Sequence, residues 1–185
     1  DRQGDNRLEL FQIWLNLPAK DKLVEPHFGM LWNADIPRVT LTDDRGHATE
    51  ITVVAGSLGD ARAPSPPPHS WASQEDTDVA IWCIRMQAGA TWTVPPARGT
   101  RTRRTLYFFA GPGMRIGGRA FSSHAAATVR SDVELRLEAG DAECELLLLQ
   151  GRPIDEPVVQ HGPFVMNDRA GIERTIRDYQ RTRFG

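Results

Sequence analysis

Two turn-rich stretches stand near the two ends of the chain: FQIWLNLPAKDKLVEP at residues 11–26 and PVVQHGPFVMN at residues 157–167. The first begins inside an apolar run, Leu8–Leu17, which Pro18 ends. Successive side chains of a β-strand point to opposite faces. Because both faces of this run are largely apolar, the sequence predicts an N-terminal strand that is covered on both sides.

Short β-type runs separated by turns fill the region between these stretches. Ile36–Leu41 and Ala48–Ala55 flank TDDRGH (42–47), whose Asp-Arg-Gly core is typical of a hairpin turn. Seven further runs follow: Val79–Gln87, Thr91–Pro95, Thr105–Ala110, Arg115–Phe121, Ala126–Val129, Val133–Leu137 and Glu143–Leu149. Short strands at this spacing predict an all-β sandwich or barrel rather than a parallel α/β sheet.

The other segments are a long loop and a C-terminal helix. Gly59–Asp78 contains four prolines and is expected to be a surface loop, although its P-x-x-P pattern could also serve as a peptide ligand. At the end of the chain, Asn167 can cap a helix in which Ile172, Ile176 and Tyr179 share one face. We therefore predict a helix over residues 168–182, reached through an extended crossing over residues 157–166.

Composition excludes several classes of protein. The 22 Lys and Arg residues nearly balance the 24 Asp and Glu residues, for a net charge of −2, which argues against direct nucleic-acid binding. No apolar run approaches the roughly 20 residues of a membrane span, and no signal-peptide pattern is present. Cys83 and Cys144 lie in apolar strand-like runs and are expected to be buried free thiols. A soluble cytoplasmic protein is the simplest expectation.

The histidines form no recognisable catalytic or metal motif. They are His27, His47, His69, His124 and His161. His47 lies near Asp43, Asp44 and Glu50, so a hard-metal site is conceivable, but a solvated hairpin tip explains the cluster better. His161 precedes a Gly-Pro bend and is interpreted as a polar packing or interdomain hydrogen-bonding residue, with a pocket role as the alternative.

Glycine and arginine clusters also receive structural interpretations. Gly111-Pro112-Gly113 and Gly117-Gly118 lack the helix and lysine of a phosphate loop and are expected to be tight turns. The basic cluster consists of Arg98, Arg101, Arg103 and Arg104. A solvated rim balanced by carboxylates is preferred there to a patch for an anionic partner. The residues alone therefore predict an all-β domain with a helical tail and no catalytic or cofactor-binding residues.

A family resemblance extends this interpretation. The stretch QIWLNLPAKDKLVEP (12–26) resembles the segment that follows the metal-binding barrel in the pirin family of bicupins, and GRPIDEPVVQHGPFVMN (151–167) resembles that family's C-terminal signature. The resemblance implies a cupin-type, jelly-roll-like β-barrel with a linking N-terminal strand and a short C-terminal helix. It divides the chain into the end of the N-terminal barrel with the interdomain linking strand (1–35, the linking segment), a metal-free barrel (36–156), and a crossing segment and helix that pack on the N-terminal barrel (157–185).

The resemblance also implies where iron binds. In pirins the N-terminal barrel holds a non-haem Fe(II) through three histidines and a glutamate, and those ligands would lie upstream of Asp1. Counted by cupin spacing from Gly89, the equivalent histidine positions of the second barrel fall on Pro95 and Ala97, and a later one falls near Glu143. The resemblance therefore implies no metal ligand and no catalytic iron in this chain.

Three functions remain open at this point. The resemblance implies a parent protein with iron-dependent, quercetin 2,3-dioxygenase-type activity on a flavonol-like small molecule, this chain alone catalysing nothing. The alternative is a non-catalytic, redox-linked module that regulates a protein partner. A barrel that binds a carbohydrate or another small ligand is a third option. If the chain belongs to such a parent protein, apolar surface is expected to be buried against the missing N-terminal barrel by Leu10, Trp14 and residues 163–166.

Overall fold

The computed structural model describes residues 2–6, 8–122 and 124–183. Its strands are β1 (Arg38–Thr42), β2 (Ala48–Ala55), β3 (Ser57–Leu58), β4 (Ala61–Arg62), β5 (Ala80–Met86), β6 (Thr91–Val94), β7 (Arg103–Ala110), β8 (Met114–Ile116), β9 (Arg119–Phe121), β10 (Ala125–Val129), β11 (Leu135–Ala139), β12 (Cys144–Gly151), β13 (Val159–His161) and β14 (Phe164–Met166). One α-helix, α1, spans Arg169–Thr182, and short 3₁₀ turns lie at Ala19–Asp21, Trp71–Ser73 and Glu75–Thr77.

Two antiparallel sheets make up the domain. Six strands pair in the order β1-β2-β5-β12-β7-β10, and four pair in the order β6-β11-β8-β9. A single cluster of buried side chains draws on both sheets, so the sheets enclose one core. The hairpins β3–β4 and β13–β14 form separate two-stranded pairs. The predicted all-β architecture with a short C-terminal helix is therefore confirmed.

Alternation along the strands decides which side chains enter the core. Trp82 and Ile84 of β5 are buried, as are Leu106 and Phe108 of β7, whereas the intervening residues are more exposed. Trp82 packs against Trp92 of the opposite sheet with ring centroids 6.3 Å apart. Removing each such large side chain from water contributes about 1.5–3 kcal/mol. This core is the scaffold that holds the ends of the strands in place.

Most predicted strands agree with the structure to within two residues, and two of the differences lie at turns. The predicted run 115–121 is two strands, β8 and β9, because Gly117 and Gly118 both take a positive φ and turn the chain. The expected crossing at 157–166 is a hairpin that turns at Gly162. The predicted helix is confirmed, but its N-cap is Asp168, which accepts from the Gly171 N–H at 2.6 Å, rather than Asn167.

The predicted N-terminal strand is wrong. Residues 8–17 make no strand pairing with the described part of the chain, and Leu8, Leu10 and Trp14 are exposed. The segment instead crosses the outer face of the six-stranded sheet, where the Phe11 ring meets the edge of Phe109 at a centroid distance of 4.8 Å. A strand needs a partner for its backbone groups, and none of the described strands supplies one here.

The proline-containing loop at 59–78 includes β4 and two 3₁₀ turns but is otherwise irregular, as predicted, and it is anchored at its far end. Trp71 is buried, and its indole N–H donates to the Arg152 carbonyl oxygen at 2.8 Å. The Arg152 guanidinium lies 5.4 Å from the Trp71 ring centroid and pairs with Asp76 at 2.6 Å. The loop is thereby fixed beside one end of the barrel. Among the described residues no helix has both the length and the apolar character that crossing a membrane requires.

Candidate functional site

A cavity of about 780 Å³ opens at one end of the barrel. It lies where β2 and β12 end and where β5 and β7 begin, and the segment after β6 closes one side. Its apolar wall comes from Val54, Leu58, Pro64, Pro66 and Trp82. The N-terminal segment contributes Leu15 and Leu31 to the same lining. Concave, largely apolar surfaces with a few polar groups are typical of small-molecule sites.

A buried arginine is the principal polar group of this cavity. Arg104, the second residue of β7, is only 1% exposed. Its Nε and Nη2 donate to Gln150 Oε1 at 2.8 and 2.6 Å, and its Nη1 donates to the Pro95 carbonyl oxygen at 3.0 Å. All three bonds go to neutral acceptors. Burial lowers the pKa of Arg104, and the nearby charge of Asp78 opposes that shift.

Asp78 is held by other groups. Its Oδ2 accepts from the backbone N–H of Arg98 at 3.0 Å and of Gly99 at 3.3 Å, and from Thr102 Oγ1 at 2.8 Å. Its carbonyl oxygen accepts from Gln150 Nε2 at 3.1 Å. Asp78 therefore fixes the 98–102 loop and orients the Gln150 amide toward Arg104. No carboxylate in the described part of the chain lies within ion-pairing distance of the Arg104 guanidinium.

The cavity coincides with two of the positions counted from Gly89. Pro95 and Ala97 both line it, and Pro95 contacts Arg104 directly. The third assigned position lies apart from this cavity. Glu143 precedes β12 and pairs with Arg85 at 2.8 Å, whereas the end of β12 that reaches the cavity carries Gln150. Seven residues of extended strand separate the two positions by about 23 Å.

The groups that converge here do not fit a non-haem iron centre. They are a guanidinium, a carboxamide and a backbone carbonyl, whereas such centres are built from imidazoles and carboxylates. The fixed positive charge of Arg104 would also repel a divalent cation. Over the described ranges of the chain, no group of three or more His, Cys, Asp or Glu residues is arranged to hold a metal ion.

The other histidine and carboxylate candidates lie apart from the cavity. His47 is part of the β1–β2 turn, where its Nδ1 lies 3.3 Å from Asp43 Oδ2. Burial would disfavour the Asp43 carboxylate, but the backbone N–H groups of His47, Thr91 and Arg45 outweigh it and hold the pKa of Asp43 well below its usual range. Asp43 thus organises the hairpin. His161 is exposed at the end of β13.

The arginine cluster separates into different environments. Arg101 forms an ion pair with Asp155, as expected for a solvated rim, and Arg103 is exposed. Arg98 donates from Nη2 to Ser57 Oγ at 3.0 Å and lines the cavity. Arg104 points inward, and the sequence interpretation missed it. The signal was available, because Arg104 shares the inward register with Leu106 and Phe108 in β7.

Both cysteines are free, as predicted, but only Cys144 is fully buried. Cys83 is half-buried on β5, facing away from the core cluster. Burial raises the pKa of both thiols, and the nearby carboxylates of Glu9 and Glu145 add to the shift for Cys83. The reactive thiolate form is therefore disfavoured at both positions.

Comparison with known proteins identifies relatives. A family model described as the pirin C-terminal cupin domain matches residues 81–185, more than half of the chain. A Pseudomonas aeruginosa protein named "Putative quercetin 2,3-dioxygenase" is 34% identical over 184 residues, which cover 99% of this chain and 59% of that protein. Arabidopsis thaliana Pirin-1 is 29% identical over 176 residues, covering 94% of this chain and 57% of that protein.

The fold has a solved counterpart. The crystal structure of a quercetin 2,3-dioxygenase from Acinetobacter baumannii superposes with a TM-score of 0.76 at 24% identity, covering 92% of this chain and 55% of that one. At that identity the likeness supports the fold alone. The chain spans less than two thirds of the length of these relatives. Together with the cupin-type barrel, the family match shows that this chain belongs to the pirin family.

Proposed function

We propose that this chain is the metal-free C-terminal barrel of a pirin-like protein whose parent polypeptide carries out iron-dependent chemistry of the quercetin 2,3-dioxygenase type. The name of the P. aeruginosa relative supports the reaction class. The poor fit of the Arg104 cavity to iron supports the assignment of the metal to a part of the parent that precedes Asp1. Within the parent, this chain binds and orients the catalytic barrel.

The observation that carries the proposal is an uncovered apolar surface on the linking segment. The side chains of Leu10, Trp14, Phe28 and Trp32 are all more than half exposed. A smaller cavity of about 450 Å³ lies between residues 13–17 and the β13–β14 hairpin. Large exposed apolar patches usually mark an interface. Covering several such side chains would contribute several kcal/mol, at about 1.5–3 kcal/mol each.

The tail takes part in this surface less than expected. Residues 164–166 are half-buried within the chain, because β14 packs on α1 and the Phe164 ring meets Tyr179 at 5.8 Å. Pro163 and Val165 still line the smaller cavity beside the linking segment. The proposed interface is therefore centred on residues 8–32, with the hairpin at its edge.

An oxygenase assay tests the proposal. The parent polypeptide, loaded with Fe(II), is incubated with quercetin and dioxygen, and carbon monoxide release is measured beside quercetin loss. We expect both for the parent, in equal amounts, and neither for the 185-residue chain. Turnover by the isolated chain at the parent's rate would contradict the proposed division of labour.

The exposed apolar surface also favours a second candidate, a non-catalytic, redox-linked module that binds a protein partner. A parent that binds iron but leaves quercetin unchanged under aerobic conditions would favour this alternative. In that case affinity for the partner should differ between the Fe(II) and Fe(III) forms of the parent. Equal affinity for both forms would remove the redox link.

A further inference from the structure

Beyond the proposed function, we infer that the Arg104 cavity is a binding site for a small organic carboxylate with an apolar body. The site is lined by residues of this barrel together with Leu15 and Leu31 of the linking segment. Arg104, Gln150 and Trp82 are the residues that would recognise the ligand.

The arginine has donor capacity left over. A guanidinium carries five N–H donors, and the hydrogen bonds to Gln150 and Pro95 use three of them. Because its acceptors are neutral and Asp78 is committed to the 98–102 loop, the positive charge of Arg104 has no direct counter-ion among the residues that the structure describes. A planar guanidinium can form two parallel hydrogen bonds with a carboxylate, which makes a carboxylate a suitable counter-ion for Arg104.

An unpaired indole provides a second, independent observation. Trp82 is 3% exposed and lines the same cavity, and its Nε1–H has no hydrogen-bond partner within the described part of the chain. A buried N–H without an acceptor costs free energy comparable to a lost hydrogen bond. A ligand oxygen that reached Trp82 Nε1 would supply the missing acceptor.

The remaining lining sets the class of the ligand. The charged residues of the wall are Arg62, Arg98 and Arg104 against Glu75 and Asp78, an excess of one positive charge. Leucine, valine and proline side chains form much of the rest, and they would contact an apolar body rather than a hydrated inorganic ion. Arg104 is buried whereas Arg62 is exposed, so a carboxylate bound to Arg104 would leave the apolar body of the ligand on the more open side of the cavity.

Binding of benzoate to the full chain tests the inference, with the Trp82 indole N–H resonance as the readout, assigned through Trp82→Phe. We expect benzoate to shift this resonance saturably and to bind more tightly than either inorganic phosphate or neutral benzamide. Gln150→Glu places a carboxylate against Arg104, and should weaken benzoate binding about tenfold or more, as expected for the loss of a charge-assisted hydrogen bond.

The controls separate binding from folding. Gln160→Glu makes the same chemical change on exposed β13 and should leave benzoate affinity unchanged. The urea midpoint of Gln150→Glu should stay close to that of the unchanged chain, because pairing of the new carboxylate with Arg104 offsets the lost hydrogen bond from Gln150 Nε2 to the Asp78 carbonyl oxygen. Equal benzoate affinity in both variants, or no saturable shift at all, would overturn the site. If benzamide bound as tightly as benzoate, the inferred preference for a carboxylate would be wrong. If phosphate bound as tightly as benzoate, the inferred preference for a ligand with an apolar body would be wrong.

Discussion

Arg104 is the residue whose environment departs most from its type. Arginine is rarely fully buried unless it is paired, yet here the partners are a glutamine oxygen and a proline carbonyl. The charge remains tolerable because each guanidinium nitrogen has an acceptor and because Gln150 is itself oriented by Asp78. This network therefore depends on a single amide as much as on the arginine.

Replacing Gln150 with Leu should destabilise the fold by about 3 kcal/mol, because two nitrogens of a buried cation lose their acceptor. Urea unfolding at pH 7 measures the change. Gln160→Leu, on the exposed face of β13, is the matched control and should stay within about 0.5 kcal/mol of the unchanged chain. Equal midpoints for the two variants would show that Arg104 does not rely on Gln150.

Asp43 should make the stability of the folded chain depend on pH in the acid range. The pKa of Asp43 is lower in the folded chain than in the unfolded chain. The contribution of Asp43 to folding stability is therefore present above the unfolded-state pKa, near 4. That contribution is lost as the pH falls toward the folded-state pKa. Asp43→Asn should lower the urea midpoint at pH 7, and the gap from the unchanged chain should narrow steadily below about pH 4. Exposed Asp44→Asn is the control. A gap that stays constant down to pH 2 would exclude the carboxylate as its source.

At the scale of elements, sequence pattern predicted the strands whose positions depend on nearby residues. The Asp-Arg-Gly turn and the alternation of apolar residues located β2 and β5 closely, because both signals lie within a few residues. The N-terminal run was misassigned for the opposite reason. Its two apolar faces indicated coverage on both sides, but a strand also needs a neighbouring edge, which sequence pattern does not reveal.

The cap of α1 gives a direct test at this scale. Asp168→Ala removes the acceptor of the Gly171 N–H and should destabilise the helix by about 1 kcal/mol. Hydrogen exchange of the α1 amides measures that loss locally. Glu173→Ala, exposed in the same helix, removes the same charge without touching the cap and should leave exchange nearly unchanged. Faster exchange in both variants alike would assign the effect to charge rather than to capping.

At the scale of the whole molecule, sequence predicted the family and the architecture better than the site. The two end stretches resembled pirins; the family model covers the second of them, and the match to the P. aeruginosa relative extends over nearly the whole chain. The cavity escaped prediction because it is assembled from strand ends far apart in sequence: Val54, Trp82, Arg104 and Gln150. The interface with an N-terminal barrel stays a prediction, supported by the exposure of Leu10 and Trp14.

The linking segment should make the isolated chain self-associate. Sedimentation velocity is expected to show a concentration-dependent shift to larger species, because apolar side chains that are exposed on one chain can be buried against another. The double change Leu10→Ser and Trp14→Ser should reduce this association, whereas Val133→Ser, exposed elsewhere on the barrel, should not. A strictly monomeric chain at all concentrations would argue against an interface on residues 8–32.

Iron content measured beside intact mass tests most directly whether this barrel is the metal-free part of a pirin-like protein. The parent polypeptide and the 20.6 kDa chain are each loaded with Fe(II) anaerobically, dialysed and analysed. We expect about one iron per parent polypeptide, as for a single non-haem site, and only background iron in the chain. Stoichiometric iron retained by the 20.6 kDa chain alone would contradict the assignment.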